Sequence, residues 1–227
     1  MNDIIFQLGP FTIYTLGLSL AVSYLAGIFY FWRRGRQEGF PSDSLLDLTF
    51  LASLFGLLGG RVLFLALFRE GWGLGDLFLF GEGVFWAGII LGGGLTLFIF
   101  SRLKGWSALR VAALASLALS LGQALGFLGA EAAKYLPFAF YPAFGYFFLW
   151  LTIRFLINRK VEPGYAVSLY LIASGGLIYL AEWLRPLKAV LESGWNLNYS
   201  TAGISALLGL VLLVFLVARK TLFRVKR

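Results

Sequence analysis

The sequence predicts an all-α, polytopic membrane protein with seven transmembrane helices, and three observations carry that prediction. Of 227 residues, 59% are hydrophobic and 13% charged, against about half and about a quarter in an ordinary soluble domain. An apolar excess of this size needs lipid as its solvent. Seven apolar stretches then recur, near Phe11–Trp32, Leu45–Phe68, Val84–Phe100, Ala108–Gly129, Tyr135–Ile157, Tyr165–Leu184 and Tyr199–Ala218. Each is close to the ~20 residues a spanning helix requires, the third being the shortest. Finally, the basic residues alternate between loops. The clusters Arg33–Arg36, Arg102–Arg110, Arg154–Lys160 and Arg219–Arg227 hold 14 of the 19, and the alternate set is Arg61, Arg69, Lys134, Arg185 and Lys188. Cytoplasmic loops are enriched in Lys and Arg, so the amino terminus is expected outside and the carboxyl terminus in the cytoplasm.

The elements follow in order. No basic residue precedes the first span and a basic cluster follows it, which is not the pattern of a cleavable signal peptide. The second span carries Gly59-Gly60, where missing side chains allow close helix approach. The outer loop from Arg69 to Gly83 is glycine-rich, holds Trp72, Asp76 and Glu82, and is long enough for a short re-entrant or amphipathic piece. In the fourth span, Gly122 and Gly126 form a small-xxx-small face around Gln123. Pro186 ends the sixth span. Trp32, Tyr135, Tyr165, Trp183 and Tyr199 lie near span ends and read as interfacial belts. The basic tail Arg219–Arg227 reads as a positive-inside anchor, with contact to anionic headgroups as the alternative. One transmembrane domain is expected over 1–227, and the lack of an internal repeat weighs against a transporter built of inverted halves.

Composition also excludes chemistry. There is no cysteine and no histidine, so the chain offers no thiolate, no imidazole base and no imidazole metal ligand. No metal and no cofactor are expected. The net charge of +8 is spread over alternate loops in the membrane pattern, so no nucleic-acid partner is expected.

Ionisable groups inside a span are costly and are the default functional candidates. Arg61 lies seven residues inside the outer end of the second span, about 10 Å deep at 1.5 Å per residue. It reads either as a phosphate or carboxylate clamp or as a structural ion pair with Glu131 or Glu182. Gln123 is expected to bond a neighbouring helix. Glu131 and Lys134 are spaced for a surface ion pair, and Glu182 and Arg185 have the same spacing at the end of the sixth span. Arg61, Glu131, Glu182 and Arg185 all fall toward the outer side, which suggests a polar cavity opening outward.

These residues resemble the bacterial prolipoprotein diacylglyceryl transferase family. The resemblance runs over nearly the whole chain. It rests on Leu8-Gly9-Pro10, Gly59-Gly60-Arg61, Gly81-Glu82-Gly83 with Phe85 and Gly88, and Leu121-Gly122 leading to Glu131. Tyr141-Pro142, Pro163-Gly164 and Glu182-Trp183-Leu184-Arg185-Pro186 complete it. The resemblance implies a multi-pass protein of the bacterial plasma membrane. It implies transfer of diacylglyceryl from phosphatidylglycerol to the cysteine of a lipoprotein precursor, with the precursor's signal segment as partner. Glycerol phosphate leaves and a thioether forms. In the family arginines hold the phosphate, and a histidine in a His-Gly-Gly motif is assigned as base.

The sequence departs from that pattern. His-Gly-Gly reads Trp86-Ala87-Gly88, and the signature Gly-Arg-x-x-Asn-x-x-Asn-Gly-Glu reads from Gly122-Gln123 to Gly129-Ala130-Glu131. Its arginine is Gln123, and both asparagines are glycine, at Gly126 and Gly129. Ile178 stands where the sixth helix carries an arginine, Phe147 for a glutamate and Leu16 for a tyrosine. Arg61 and Arg185 remain as headgroup-binding candidates, with Gln123, Glu131, Glu182 and Trp86 as the supporting polar set. No catalytic residue is assigned. Three readings follow: a transferase of the family type, a divergent relative that binds anionic phospholipid or a membrane partner with little transfer, and a transporter of small solutes or lipid.

Overall fold

A computed structural model describes residues 4–8, 11–69, 71–79, 83–134, 138–183 and 197–225. Among these, seven α-helices follow a small hairpin: α1 (Thr15–Gln37), α2 (Ser42–Phe68), α3 (Trp86–Leu103), α4 (Ala108–Ala132), α5 (Phe140–Asn158), α6 (Pro163–Trp183) and α7 (Leu197–Val225). Six of them are long and apolar enough to cross a membrane, and α3 supplies the shorter apolar run Ala87–Leu103. The protein is an all-α polytopic membrane protein, as its composition predicts. Large apolar side chains such as Phe50 (68% exposed) and Val214 (66%) point outward, which suits an acyl-chain solvent.

The first span differs from its expected boundary. Residues Phe11–Tyr14 form a strand, β2, antiparallel to β1 (Ile4–Leu8), with Leu8 opposite Phe11 and Ile4 opposite Tyr14. Ile4, Phe6, Phe11 and Ile13 are apolar enough to pass for the start of a span, but their β-branched and aromatic side chains favour an extended pair. The helix therefore begins at Thr15, not Phe11. At the other end, α7 continues past Ala218 to Val225. The expected start of the fifth span, Tyr135, lies outside the described residues, and α5 starts at Phe140.

The connections from α1 to α2 and from α3 to α4 are tight. Gly39 and Gly105 take positive φ values after α1 and α3, where a side chain would be strained. Pro163 opens α6, the helix position at which its missing N–H costs least.

The chain divides into two compact units, Met1–Phe31 with Ala113–Arg227, and Trp32–Ala112. In the first, Leu117, Tyr146 and Ile153 form the centre of the core. Close packing there relies on small residues. A Cβ on Gly122 would lie 3.3 Å from the Ser23 carbonyl of α1, and one on Gly209 of α7 would lie 2.7 Å from Ile172 Cγ1 of α6. Ser205 Oγ of α7 donates to the Leu171 carbonyl of α6 at 2.9 Å. In the second unit α2 and α3 touch backbone to backbone. A Cβ on Gly59 would come within 2.6 Å of the Gly88 carbonyl, and one on Gly88 within 2.7 Å of Gly60 Cα. The predicted role of Gly59-Gly60 is thus filled by α3.

Candidate functional site

Arg61 is fully buried on α2. An arginine at this depth must have its charge and its N–H groups answered locally. Its Nε donates to the Asp76 carbonyl at 2.9 Å and Nη1 donates to the Gly83 carbonyl at 2.9 Å. The Phe64 ring lies under the guanidinium, 5.4 Å from Cζ to centroid, in cation–π range. Both carbonyls belong to the loop between α2 and α3, in the same unit. These two hydrogen bonds stitch the loop to α2.

The loop has its own order. Leu74–Phe78 forms a 3-10 helix. Asp76 accepts from the Gly73 N–H at 2.8 Å through Oδ2, and its Oδ1 lies 3.2 Å from Arg69 Nη1. Leu74 (79% exposed) and Phe78 (72%) face outward. The loop expected to hold a short re-entrant or amphipathic piece thus carries one short 3-10 helix. Gly83 closes the loop at φ +140, and a Cβ there would meet the Phe64 ring at 2.6 Å. Glu82 and Gly81 lie outside the described residues.

Trp86 opens α3 and its side chain is outside the described set. The Phe85 N–H donates to the Gly60 carbonyl at 3.0 Å. The position that carries the family's histidine therefore follows directly on a backbone bond to the residue preceding Arg61. Gly88, the last residue of that motif, packs on Gly59 and Gly60.

In the other unit, Gln123 of α4 accepts a hydrogen bond from Tyr170 Oη of α6 at 3.1 Å. This is the interhelical bond its glycine-flanked position predicts. Sequence reasoning misses Tyr170. The available signal is that Tyr170 and Ser174 are four residues apart on an apolar helix, and so share a face. Ser174 Oγ lies 3.3 Å from Ser205 Oγ of α7, and Tyr146 Oη donates to the Ser174 carbonyl at 3.4 Å. A hydroxyl-rich seam thus runs between α5, α6 and α7.

Glu131 behaves differently from expectation. Its spacing predicts a surface ion pair with Lys134. Instead its Oε2 accepts from the Ala139 N–H at the start of α5, while Lys134 turns left-handed at φ 51 and donates its N–H to the Glu131 carbonyl at 2.9 Å. The reason is geometric: Ala139 caps the start of α5 within reach of the carboxylate, so an orphan helix-start N–H meets it, and a charged acceptor there is favoured. Glu182 is buried near the end of α6. Arg185, its expected partner, lies outside the described residues. Ile178 lies on α6 and Phe147 on α5, the positions where the resemblance implies charged residues. Among the described residues no group of acidic side chains is placed to hold a metal ion.

Comparison with known proteins places the chain in a family. Residues 3–218 match the family model described as prolipoprotein diacylglyceryl transferase. A relative from Clostridium perfringens, named phosphatidylglycerol–prolipoprotein diacylglyceryl transferase 2, is 25% identical over 82% of this chain and 84% of its own. Relatives with the same enzyme name from a Thermoanaerobacter species and from Bacillus licheniformis are each 29% identical, over 55% and 56% of this chain. The chain spans about half the length of those two relatives, 50% and 48%. With six helices among the described residues long and apolar enough to cross a membrane, and a family match over almost its full length, this multi-pass protein of the bacterial inner membrane belongs to the prolipoprotein diacylglyceryl transferase family.

Proposed function

We propose that the chain acts in lipoprotein biosynthesis, binding an anionic phospholipid of the outer leaflet and carrying out diacylglyceryl transfer at a rate well below that of a full-motif relative. Phosphatidylglycerol is the proposed donor and the cysteine of a lipoprotein precursor, presented on its signal segment, the acceptor. The single observation that supports this reading most is the pairing of a family match over residues 3–218 with a fully buried Arg61 beside the motif position at Trp86. The proposal takes the amino terminus as outside and treats 1–227 as one functional transmembrane domain. No nucleic acid takes part.

In the proposed reaction the thiol sulfur attacks the glyceryl carbon, the carbon–oxygen bond to phosphate breaks, and glycerol phosphate departs with the bonding pair. Arg61 and Arg185 are proposed to contact the phosphate, because guanidinium suits its geometry and charge. The thiol proton goes to water or a carboxylate, since the chain has no histidine. Gln123 offers a neutral hydrogen bond where the family has a cation, and such bonds are about half as strong. Losing one oriented donor typically costs about 3 kcal/mol of transition-state stabilisation, which is why slow transfer is expected.

Complementation of a transferase-depleted bacterium tests the reading. Weak rescue, strengthened by Trp86→His, Ala87→Gly, Gln123→Arg and Ile178→Arg together, is the expected result. Rescue equal to that of a full-motif relative overturns the slow-chemistry part. Equal phosphatidylglycerol retention by the Arg61→Ala, Arg185→Ala double variant overturns the binding part. The second reading, binding with no transfer, is favoured by the missing charges at Gln123 and Ile178, and it predicts no rescue by the unmodified chain.

A further inference from the structure

We infer that the basic-rich end of α1 carries a second anionic-headgroup site, built by Trp32, Arg33, Arg36 and Gln37, in the leaflet opposite that of Arg61. These four residues line an open cavity of about 310 Å³. They stand at i, i+1, i+4 and i+5 of one helix, so Trp32 stacks with Arg36 and Arg33 with Gln37 on adjoining strips of it. The Trp32 ring is fixed, because its Nε1 donates to Ser42 Oγ at the start of α2 at 2.7 Å. Arg36 lies over that ring, 4.9 Å from Cζ to centroid. Arg33 and Arg36 are exposed and have no carboxylate partner among the described residues.

The nearby acid is engaged elsewhere. Glu38 Oε2 accepts from Arg110 Nη2 at 2.9 Å, and its Oε1 lies 4.0 Å from Arg34 Nη2. Arg34 also donates to Gln37 Oε1 at 3.1 Å, which leaves the amide nitrogen as the donor end of Gln37. Two guanidiniums and one amide around a small cavity suit a single phosphate. An aromatic ring beside them suits the headgroup level, where tryptophan concentrates.

The depth of the site selects a phospholipid as the source of that phosphate. Ser42 and Arg61 are 19 positions apart on the unbroken helix α2. That is about 28 Å at 1.5 Å per residue, close to the ~30 Å of a hydrocarbon core. With Arg61 seven residues inside the far end of α2, about 10 Å deep, Trp32, tied to Ser42, lies at the headgroup level of the opposite face. Anionic lipid is abundant at that surface and attracts arginines there. This inference is independent of the transfer chemistry.

The test uses full-length protein in nanodiscs of phosphatidylcholine with or without phosphatidylglycerol, and counts retained lipids by native mass spectrometry after mild extraction. Wild-type protein is expected to retain phosphatidylglycerol in preference. The Arg33→Gln, Arg36→Gln pair should retain one lipid fewer, with affinity for it at least about tenfold weaker, the worth of one charge-assisted contact. Arg33→Lys, Arg36→Lys keeps the charge that sets topology but not the forked geometry, and should also weaken retention. This pair carries the test if the glutamine pair fails to fold. Unchanged retention in the arginine variants overturns the site, as does equal retention of phosphatidylcholine. Displacement of the lipid by millimolar inorganic phosphate overturns the lipid assignment in favour of a free anion. Loss of this lipid in Arg61→Ala as well overturns the claim of two separate sites.

Discussion

Replacing single glycines of α3 with alanine should move stability in opposite directions according to what each glycine faces. A Cβ on Gly88 would sit 2.7 Å from both the Gly59 carbonyl carbon and Gly60 Cα. Those atoms are backbone, so relief requires α2 and α3 to separate, and overpacking of this kind costs about 1–3 kcal/mol. A Cβ on Gly94, six residues along the same helix, meets nothing within 4 Å. There alanine gains only its better helix propensity, up to about 1 kcal/mol. Gly88→Ala should therefore lower the midpoint of detergent-driven unfolding, and Gly94→Ala should leave it unchanged or raise it. Gly92, whose Cβ would run into the Phe55 carbonyl, should follow Gly88. Purified variants titrated with sodium dodecyl sulfate and followed by tryptophan emission give the comparison directly. If Gly88→Ala and Gly94→Ala shift the midpoint equally, the backbone-contact account of this helix pair is wrong.

Further expectations concern charge and topology. Arg61→Ala removes two charge-assisted bonds worth about 1.5–3 kcal/mol each, so amide hydrogen exchange across Leu74–Leu79 should rise; unchanged exchange would show that the loop holds itself. Glu131→Ala removes a charged acceptor from the Ala139 N–H and should destabilise by about 1 kcal/mol, whereas Glu131→Gln should recover part of that loss; equal unfolding midpoints in all three proteins would refute a capping role. Tyr170→Phe deletes the donor to Gln123 and should cost about 1 kcal/mol, an effect that vanishes in a Gln123→Leu background if the two act as a pair. A cysteine added after Arg227 should react only with membrane-permeant reagents, and labelling from outside would reverse the proposed orientation.

The spans are legible in the sequence because a run of about twenty apolar residues matches the thickness of a bilayer core, and the glycine pair at 59–60 is legible because small residues mark close helix approach. The hairpin before Thr15 is not. Its residues are as apolar as a span, and what separates it is strand pairing between Ile4–Leu8 and Phe11–Tyr14, a non-local fact. The site shows the same division. Arg61 stands out in sequence as a charge within an apolar run, but among the described residues it donates to the carbonyls of Asp76 and Gly83, and any residue type provides a carbonyl. Spacing assigns Glu131 to Lys134, and the turn after Ala132 gives it to Ala139 instead. Gln123 reads correctly as interhelical, while its donor Tyr170 stays hidden among the aromatics.

The contact between Gly88 and Gly59 separates two meanings that a motif joins. In Trp86-Ala87-Gly88 the first position has changed its chemistry completely, and the last has kept the one residue that fits. A glycine retained because a neighbouring main chain occupies the space of its side chain reports on architecture alone. It will persist through any drift that spares the helix pair, including drift that removes a reacting group two residues away. Relatives with intact glycines here should accordingly be sorted by what stands at the Trp86 position before any activity is ascribed to them.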